Sequence, residues 1–415
     1  MNVRMTGRSS RRAKAALGDV LAEGFVDVGF QPIVNLRSSA VVGYEALARG
    51  PYGSEIEAPH ELFATARGAG RLDELDWLCQ RCALRNALEA GLRAPSVLFL
   101  NVEADTSGFM PLDLRSLYAE ATAEMTVAVE VTERALTERP AALLGHVADM
   151  RGLGCAVALD DVGVEVDSLA MMAVLSPEVV KLDLEVLSAG SAGRIAEIID
   201  AAGAHAERSG ATILVERIET TEQAELAGAV GAQLAQGFLF GRREHLDRVP
   251  TPPIGRVVHA TPRGDPRDTT PFVLLGEART PRRAGRSLIE AISRRLEGHA
   301  SAMGHGAVLL SAFGSAERFA GRTRERYAQI ATDVGFCGVL GQQMGPEPAP
   351  GVRGGSLRAI DPLAREWSVV VVSPHICAAL SAHDSGDGQS FDYVLTHDRD
   401  LVVAAAAALM ARIAA

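Results

Sequence analysis

The sequence predicts a (β/α)8 barrel followed by a smaller α/β domain. Within about 240 residues, eight short strand-like runs alternate with helical stretches, which is typical of a barrel. A proline-rich segment ends this series, and a second alternating series follows it. The chain has 415 residues, whereas single hydrophobic cores stop growing near ~250–300 residues. More than one domain is therefore expected.

The strand-like runs justify the barrel individually. They are VDVGFQPIV, AVVGYEALA, SVLFLNV, TVAVEV, CAVALDD, VVKLD, TILVE and AQLAQGF. TVAVEV and CAVALDD are apolar on both faces, as buried barrel strands require. Only residues 35–39 separate the first two runs, too few for the crossover that a parallel pair needs. The first strand is therefore expected to be antiparallel to the second.

The second series also alternates. Its strand-like runs are GAVLLSAF, GFCGVLG, EWSVVVVSP, ICAALSAHD and SFDYVLTH, and its helical stretches are SLIEAISRRLEGH, FAGRTRERYAQIATDV and LVVAAAAALMARIAA. Prolines crowd the segment before it, where neither helix nor central strand tolerates them. The predicted divisions are a basic flexible N-terminus at 1–19, the barrel at 20–246, an extended linker at 247–271 and the second domain at 272–415.

Composition narrows the classes of function. The formal net charge of -11 argues against a broad nucleic-acid surface, but not against a small nucleotide neutralised locally by cations. The five cysteines are few and odd in number, which favours a reducing compartment. Cys79 and Cys82 form a lone C-x-x-C without a second ligand pair, so we interpret them as helical residues and not as a zinc site.

Hydropathy predicts a cytoplasmic protein without a membrane span. No apolar stretch of signal-peptide length follows the basic start of the chain. The longest apolar run, residues 401–410, is far shorter than the ~20 residues that cross a bilayer.

Polar residues follow nearly every strand of the predicted barrel. They are Glu45, Asn101, Glu130, Asp160, Asp161, Lys181, Asp183, Glu216 and Gln236. Because barrel active sites lie at the carboxyl ends of the strands, these side chains are expected to converge. Carboxylate and amide oxygens suit hard cations such as Mg²⁺, Mn²⁺ or Ca²⁺. The adjacent aspartates can serve two cations that activate water and stabilise a phosphodiester's charge. Lys181 can orient or deprotonate that water, and Arg49 suits a phosphate.

Eight short segments follow one another along the predicted barrel; they are FQPIV, GYEALAR, LNV, EVTE, ALDDVG, VKLD, VERIET and AQGFLFGR. In this order and spacing they resemble the EAL domain, the bacterial cyclic di-GMP phosphodiesterase and receptor family. The resemblance covers roughly residues 20–245. It implies a TIM-like barrel that hydrolyses cyclic di-GMP to linear pGpG with two Mg²⁺ or Mn²⁺ ions.

The resemblance also implies a role for individual residues. Metal ligands would be Glu45, Asn101, Glu130, Asp160 and Asp161. Lys181 and Glu216 match positions tied to the catalytic water. Positions that line the nucleotide or steady the site are Gln31, Arg49, Asp183, Glu219 and Gln236. Glu133 matches a glutamate that anchors the loop after the paired aspartates.

That loop departs from the family's pattern. The family has D-D-F-G-T-G-Y-S-S-L where this chain has DDVGVEVDSL, and Arg217 replaces the glycine that follows the catalytic glutamate. Glu165 in place of glycine removes backbone freedom. In the family, this loop couples metal binding to dimerisation. Two hypotheses therefore stand, an active phosphodiesterase or an impaired domain that acts as a cyclic di-GMP receptor or protein-interaction adaptor. A homodimer through the barrel is expected from the resemblance.

Three segments characterise the second domain, namely FAGRTRERYAQIA, EWSVVVVSPHICAAL and FDYVLTHDRDLVVAAA. Together they resemble the DICT sensory module, over roughly residues 270–415. It implies regulation of the barrel by an unknown small-molecule or protein signal. His375, His383, His397 and Asp398 are irregularly spaced, so we interpret them as solvated loop residues in preference to a metal cluster.

Overall fold

Eight strands close into a barrel at the start of the chain, which confirms the predicted fold class. The structure, a computed structural model, describes residues 7–103, 110–132, 138–164, 168–246, 257–386 and 388–413, without the side chains of residues 7–10 and 168. The barrel strands are β1 (Asp27–Asn35), β2 (Val41–Arg49), β3 (Val97–Asn101), β4 (Thr126–Thr132), β5 (Ala156–Val162), β6 (Val179–Asp183), β7 (Thr212–Glu216) and β8 (Leu234–Gln236).

Strand β1 runs antiparallel to both of its neighbours, β2 and β8, whereas the other neighbouring strands of the barrel are parallel. The expectation of an antiparallel first strand is thus confirmed. In the β1–β2 register Gln31 lies opposite Glu45, which brings these two predicted site residues together.

The barrel interior is filled by inward-facing side chains of alternating strand positions. They form one buried cluster that includes Ile33, Val42, Phe99, Leu214 and Leu234. Large branched and aromatic residues are the usual filling of such a barrel. The interior below the site is therefore a packed core.

The segment after the barrel packs against its core. Val258 is 1% exposed and belongs to the interior cluster, and the Thr212 hydroxyl donates a hydrogen bond to the Val257 carbonyl at 3.1 Å. The described part of the predicted linker is irregular except for a 3₁₀ turn at Pro266–Asp268, and Pro271 already begins a helix. Residues 247–256 lie outside the described ranges.

Helices surround the barrel. They are α1 (Gly7–Glu23), α2 (Pro59–Ala69), α3 (Leu72–Glu89), α4 (Leu112–Glu124), α5 (Pro140–Gly152), α6 (Ser168–Leu175), α7 (Leu184–Ala189), α8 (Ala192–Ser209) and α9 (Thr221–Ala229). Cys79 and Cys82 are buried on α3 and carry free thiols.

The prediction of a flexible N-terminus at 1–19 is wrong for the residues that the structure describes. Helix α1 packs against α2 and α3, and Ala13, Leu17 and Val20 are buried on one of its faces. These three apolar residues follow the spacing of a helical stripe. The basic residues of this segment suggested a solvated lead-in, whereas the apolar stripe of Ala13, Leu17 and Val20 docks the helix on the barrel.

The second domain is built on one seven-stranded sheet. Its strands are β9 (Arg282–Gly285), β10 (Val308–Ser315), β11 (Phe336–Gln342), β12 (Arg353–Ser356), β13 (Glu366–Val372), β14 (Cys377–Asp384) and β15 (Ser390–Thr396), in the order β12-β11-β10-β13-β14-β15-β9. The sequence predicted five of these strands. It missed β9 and β12, whose four residues each are too short to show a periodicity.

Two helices cover each face of this sheet. They are α10 (Pro271–Ala278), α11 (Arg286–Met303), α12 (Arg322–Ile330) and α13 (Arg399–Met410). Helix α11 contacts one face of the central strand β13, and its core includes Leu309, Val369 and Val371. Helix α13 lies on the opposite face, with Leu310 and Val370. This alternation is the period-two pattern of strands buried on both sides.

The two domains share a hydrophobic interface. Helix α13 contacts α5 and α6 of the barrel, and one buried cluster includes Leu169, Leu175, Val402 and Met410. Arg267 pairs with Asp149 at 3.0 Å, and His375 pairs with Asp200 at 2.7 Å across the interface. Helix α6 begins directly after the loop that follows Asp160 and Asp161, so the second domain packs close to the predicted site.

None of the described helices combines the length and apolar character that a bilayer crossing requires.

Replacing Leu17 with alanine tests the docking of α1. Since Leu17 is 1% exposed, we expect Leu17→Ala to lower the free energy of unfolding by about 2–5 kcal/mol through lost burial and a cavity. The exposed neighbour Lys14→Ala is the matched control and should change it by less than ~0.5 kcal/mol. Urea denaturation measures both; equal stabilities of the two variants would show that α1 does not dock.

Candidate active site

A cavity of about 720 Å³ opens at the carboxyl ends of the barrel strands. Four of the predicted metal ligands line it, namely Glu45, Asn101, Glu130 and Asp160. Its volume lies within the ~300–1,000 Å³ range of small-molecule sites. These four residues, predicted from their positions at strand ends, thus lie around one cavity.

Lys181 lies at the centre of the site. Its side chain is 1% exposed, and its Nζ lies 2.6 Å from Glu130 Oε1 and 2.6 Å from Glu216 Oε1. Asp160 Oδ1 is 3.2 Å away and Glu45 Oε1 is 4.0 Å away. One ammonium group thus joins the ends of β2, β4, β5, β6 and β7.

Glu45 is held by two amide side chains. Asn101 Nδ2 donates to its Oε1 at 3.0 Å, and Gln236 Nε2 donates to its Oε2 at 2.6 Å. Hydrogen bonds to an ionised carboxylate are stronger than neutral ones. Both oxygens of Glu45 are therefore fixed by neighbours on β3 and β8.

Burial and mutual repulsion disturb the ionisation of these groups. Burial raises the pKa of Glu130 well above its ordinary value, and the charge of Glu45 adds to the rise. Burial likewise raises the pKa of Glu216 to about 8, against the opposing effect of Lys181. Burial alone would lower the pKa of Lys181, but Asp160, Glu130, Glu216 and Glu45 together raise it well above the usual value. The ammonium is therefore kept charged by its carboxylate neighbours.

The paired aspartates lie near the end of β5, where the backbone bends. Asp161 has φ of 56°, in the left-handed region, and its backbone N–H donates to Asp160 Oδ1 at 2.9 Å. Burial raises the pKa of Asp161, and the charge of Asp160 raises it further. The bend directs two successive carboxyl groups to the same region. Glu133 and residues 165–167 of the altered loop lie outside the described ranges.

Arg217 takes a conformation that suits glycine. Its φ is 60°, in the region where a Cβ costs roughly 1–2 kcal/mol. Its guanidinium pairs with Asp183 Oδ2 at 2.8 Å and with Glu185 Oε2 at 3.2 Å. Asp183 Oδ1 accepts the backbone N–H of Glu185 at 2.7 Å and so begins helix α7. The replacement of glycine by arginine thus couples the end of β7 to Asp183.

The remaining predicted site residues lie around the rim. Gln31 Nε2 donates to the Gly241 carbonyl at 3.2 Å. Arg49 is exposed at the last position of β2, and Glu219 is exposed in the turn before α9. In this structure neither Arg49 nor Glu219 touches the carboxylates around Lys181.

Other parts of the cavity wall come from residues that do not lie at strand ends. Arg67 on α2, Phe63 on α2 and Arg139 line it. A further buried network lies on α3, where Gln80 Nε2 donates to Asp76 Oδ2 at 2.6 Å and Tyr118 Oη donates to Gln80 Oε1 at 2.8 Å. These residues lie on helices, where no motif separates a cavity wall from an ordinary helix face.

The donor set around Lys181 fits hard divalent cations. Six carboxylates share this region with two cationic side chains; they are Glu45, Glu130, Asp160, Asp161, Asp183 and Glu216. Both Oε atoms of Glu130 are buried and receive no hydrogen bond of normal angle from the described residues, although Lys181 Nζ is close. An excess of buried carboxylate oxygens is what a cation site requires. As placed, no three His, Cys, Asp or Glu side chains of the described ranges form a metal cluster, because Lys181 stands between the carboxylates.

The histidines of the second domain do not form such a site. His375 pairs with Asp200, and His397 Nδ1 lies 3.2 Å from the Cys377 carbonyl. His383 packs against Phe272 with ring centroids 5.5 Å apart. Asp398 caps α13 by accepting the Leu401 N–H. Each of the four thus has a separate local partner.

Comparison with protein families decides the membership of the chain. Residues 14–243 match the model of the EAL domain. This match covers more than half of the 415 residues. The chain belongs to the EAL domain family. Residues 275–385 match DICT, described as a sensory domain in diguanylate cyclases and two-component systems.

Curated relatives share the EAL region with this chain. The cyclic di-GMP phosphodiesterase RocR of Pseudomonas aeruginosa is 30% identical over 230 residues, which are 54% of this chain and 58% of RocR. The phosphodiesterase NbdA of the same species is 28% identical over 234 residues, covering 54% of this chain and 30% of NbdA. Protein y4lL of Sinorhizobium fredii is 28% identical over 242 residues, covering 56% of this chain and 29% of y4lL. The EAL match thus spans from under a third to under two thirds of these relatives.

Solved structures resemble the barrel as well. The PaMucR phosphodiesterase in complex with c-di-GMP has 23% identity and a TM-score of 0.48, covering 56% of this chain and 96% of that one. BlrP1 of Klebsiella pneumoniae, in a complex with calcium and c-di-GMP, has 26% identity and a TM-score of 0.47, covering 55% of this chain and 57% of that one.

Removing the ammonium tests the electrostatic balance of the EAL site. In the presence of a chelator we expect Lys181→Met to lower the free energy of unfolding by about 3–5 kcal/mol, because buried carboxylates lose their partner. Lys14→Met, at the chain's other lysine, is the matched control and should be nearly neutral. Thermal unfolding with EDTA measures both; a Lys181 variant as stable as the control would refute the central role of this ammonium.

Proposed function

We propose that the EAL barrel of this chain hydrolyses cyclic di-GMP to linear pGpG in a reaction that depends on Mg²⁺ or Mn²⁺. The observation that carries the proposal is the group of carboxylates around the buried Lys181, of which Glu45, Glu130 and Asp160 line the 720 Å³ cavity. Oxygen ligands, a lysine and a cavity of this size are the parts that metal-assisted cleavage of a phosphodiester needs. The relatives named as cyclic di-GMP phosphodiesterases support the same substrate.

Five residues would hold the two cations. They are Glu45, Asn101, Glu130, Asp160 and Asp161. When bound, the cations supply a more acidic water and neutralise the developing charge on the phosphodiester. Glu45 is already oriented by Asn101 and Gln236, and Glu130 has two oxygens free of hydrogen bonds from the described residues. Binding requires Lys181 Nζ to move from between these carboxylates.

Lys181 and Glu216 form the pair that would handle the attacking water. Lys181 Nζ and Glu216 Oε1 lie 2.6 Å apart. A proton can therefore pass between these two atoms, or between either of them and a water bound next to it. Glu130 and Asp160 hold the lysine from two other sides.

The rim residues would bind the nucleotide. Arg49 is exposed and, in the described part of the chain, has no carboxylate partner, so its guanidinium is available to a phosphate. Gln31, Glu219, Asp183 and Gln236 would line the bases and ribose or steady the site. Arg67 also lines the cavity, where it pairs with Glu103 at 2.8 Å.

A receptor without turnover is the second candidate. It is favoured because Arg217 stands where the family has a glycine, and because its guanidinium pairs with Asp183. This ion pair engages the carboxylate of Asp183, which lies on β6 two residues after Lys181, and so links the ends of β6 and β7. Such a site could keep the nucleotide cavity and lose the chemistry. Nucleotide binding with no pGpG formed would favour this candidate.

We propose that the second domain regulates the barrel. Helix α13 packs on α6, which begins after the loop that follows Asp160 and Asp161. A shift of α13 would therefore move an element connected directly to two proposed metal ligands. The shared hydrophobic interface would carry such a shift from the second domain to the barrel, through side chains that pack against one another.

We propose a cytoplasmic location, whereas the oligomeric state needs a measurement. The five cysteines are buried free thiols, which suits the reducing cytoplasm where we place the protein. A homodimer through the barrel stays a prediction. Because α6 is covered by α13 of the same chain, such a dimer must use another face or displace the second domain; light scattering measures the mass.

Incubation with cyclic di-GMP and Mn²⁺ or Mg²⁺ tests the activity. We expect pGpG to appear on chromatography and Glu45→Ala to reduce its rate by at least about a hundredfold, since removing a metal ligand removes charge stabilisation. The exposed Glu225→Ala on α9 is the matched control and should keep the wild-type rate. Intact substrate with wild-type protein would leave the receptor, and full activity of Glu45→Ala would overturn the assignment of the site.

Reversing the charge of Asp149 tests the coupling between the domains. Asp149→Arg faces Arg267 across the interface, and the repulsion should change the rate of pGpG formation by about fivefold or more. Ala142→Arg introduces the same side chain at an exposed position of α5 and should have no effect. Equal rates for the two variants would show that the interface does not transmit a change to the site.

A further inference from the structure

A second cavity lies wholly within the C-terminal domain. Its volume is about 410 Å³, and α11, α12, β10 and β13 contribute to its wall. The lining residues with charge or aromatic rings are Arg286, Glu290, Arg294, Glu297, Phe313, Arg318, Arg322, Arg326 and Trp367. None of them belongs to the barrel site, so this cavity has no part in the proposed hydrolysis.

Positive charge exceeds negative charge in this cavity. Arg326 pairs with Glu297 at 2.6 Å, and Arg294 lies 3.4 Å from Glu290. The other three arginines have no carboxylate within 4.0 Å among the described residues; they are Arg286, Arg318 and Arg322. Arg286 instead donates to the neutral Gly388 carbonyl. Three uncompensated guanidinium groups in a chain of net charge -11 mark a local site for an anion.

Buried hydrogen bonds hold Arg326 in place. Glu297 is 2% exposed and accepts both Arg326 Nε at 2.6 Å and Tyr327 Oη at 3.1 Å. The Ser311 hydroxyl lies 2.7 Å from Tyr327 Oη. Among the described residues, Arg326 Nη1 takes no part in this network, and one edge of the guanidinium is left for a ligand. A pre-oriented donor binds an anion at lower entropic cost than a free side chain.

The start of helix α12 adds donors at the same wall. Gly321 precedes the helix with φ of 54°, and no side chain caps its first turn. Arg322 and Thr323, the first two helical residues, both line the cavity. Helix N-termini attract anions through their free N–H groups and the helix dipole. Charge and helix geometry thus favour the same ligand chemistry.

Aromatic rings form the rest of the wall. Phe313 and Trp367 line the cavity. Phe313 packs against Phe319 in a tilted contact and against Tyr327 in an edge contact, at centroid distances of 5.2 and 5.4 Å. The Trp367 Nε1–H is buried and has no acceptor in the described structure. Rings beside guanidinium groups suit a ligand that has both a flat ring and a phosphate.

We propose that this cavity binds a mononucleotide-sized aromatic phosphate, with Arg318, Arg322 and Arg326 on the phosphate and Phe313 and Trp367 against the ring. The volume of about 410 Å³ suits a mononucleotide, and it is smaller than the 720 Å³ barrel cavity. Binding here is independent of turnover in the barrel and supplies the regulatory domain with a chemical class of signal.

Calorimetry on the full chain tests the proposal with GMP and AMP as probes. We expect at least one of them to bind, and the double variant Arg318→Ala/Arg322→Ala to weaken that affinity by about thirtyfold or more, because two charge-assisted contacts are lost. The matched control is Arg295→Ala/Arg324→Ala, which removes two exposed arginines from the same part of the domain outside the cavity wall. Glu45→Ala should leave the affinity unchanged, which separates this cavity from the barrel.

Guanosine and inorganic phosphate distinguish the contributions of ring and charge, and each should bind more weakly than GMP. In a Trp77→Phe background Trp367 is the single tryptophan, and its fluorescence should change on binding. The proposal is overturned by the absence of GMP and AMP binding at millimolar concentration. It is equally overturned by affinity that survives the double variant, or by phosphate that binds as tightly as GMP.

Discussion

The ionic contact between Lys181 and the carboxylates around it is the constraint on which the site depends. A buried ammonium is stable only where anions offset its desolvation, and here Glu130 and Glu216 approach it to 2.6 Å. Those anions in turn repel one another and would be protonated or displaced without a cation among them. The barrel makes the arrangement possible because parallel strands deliver side chains from five positions to one rim. The strands therefore position the charged side chains, and the packed interior of the barrel fixes the strand ends relative to one another.

Lysine at this position is chemically informative. The chain has only two lysines among its many basic residues, and Lys14 is exposed on α1. An arginine at 181 would bring a wide planar group with a fixed fork, whereas an ammonium is compact and can move aside on a flexible stem. That mobility is needed if cations are to occupy the space between Glu45, Glu130 and Asp160.

The described part of the second domain packs directly against the barrel. Helix α13 is buried between its own sheet and helices α5 and α6 of the barrel, and the segment containing Val258 fills the opposite end of the barrel. The arginine-rich cavity lies on the other face of the second domain's sheet, beside α11 and α12. A ligand there would act on the barrel through the sheet and α13, since densely packed layers transmit displacement.

The sequence by itself determined the barrel, the antiparallel first strand, the order of the EAL segments and the residue types at the strand ends. These features are encoded locally, in the period of apolar residues and in short motifs, so no distant contact is needed to infer them. Only the tertiary structure decided that α1 docks through Ala13, Leu17 and Val20, and that Arg217 pairs with Asp183. It also decided that α13 covers α6, and that arginines from two helices and a turn meet at one cavity. Those outcomes depend on which surfaces of distant segments come together, and no periodicity within a segment carries that information.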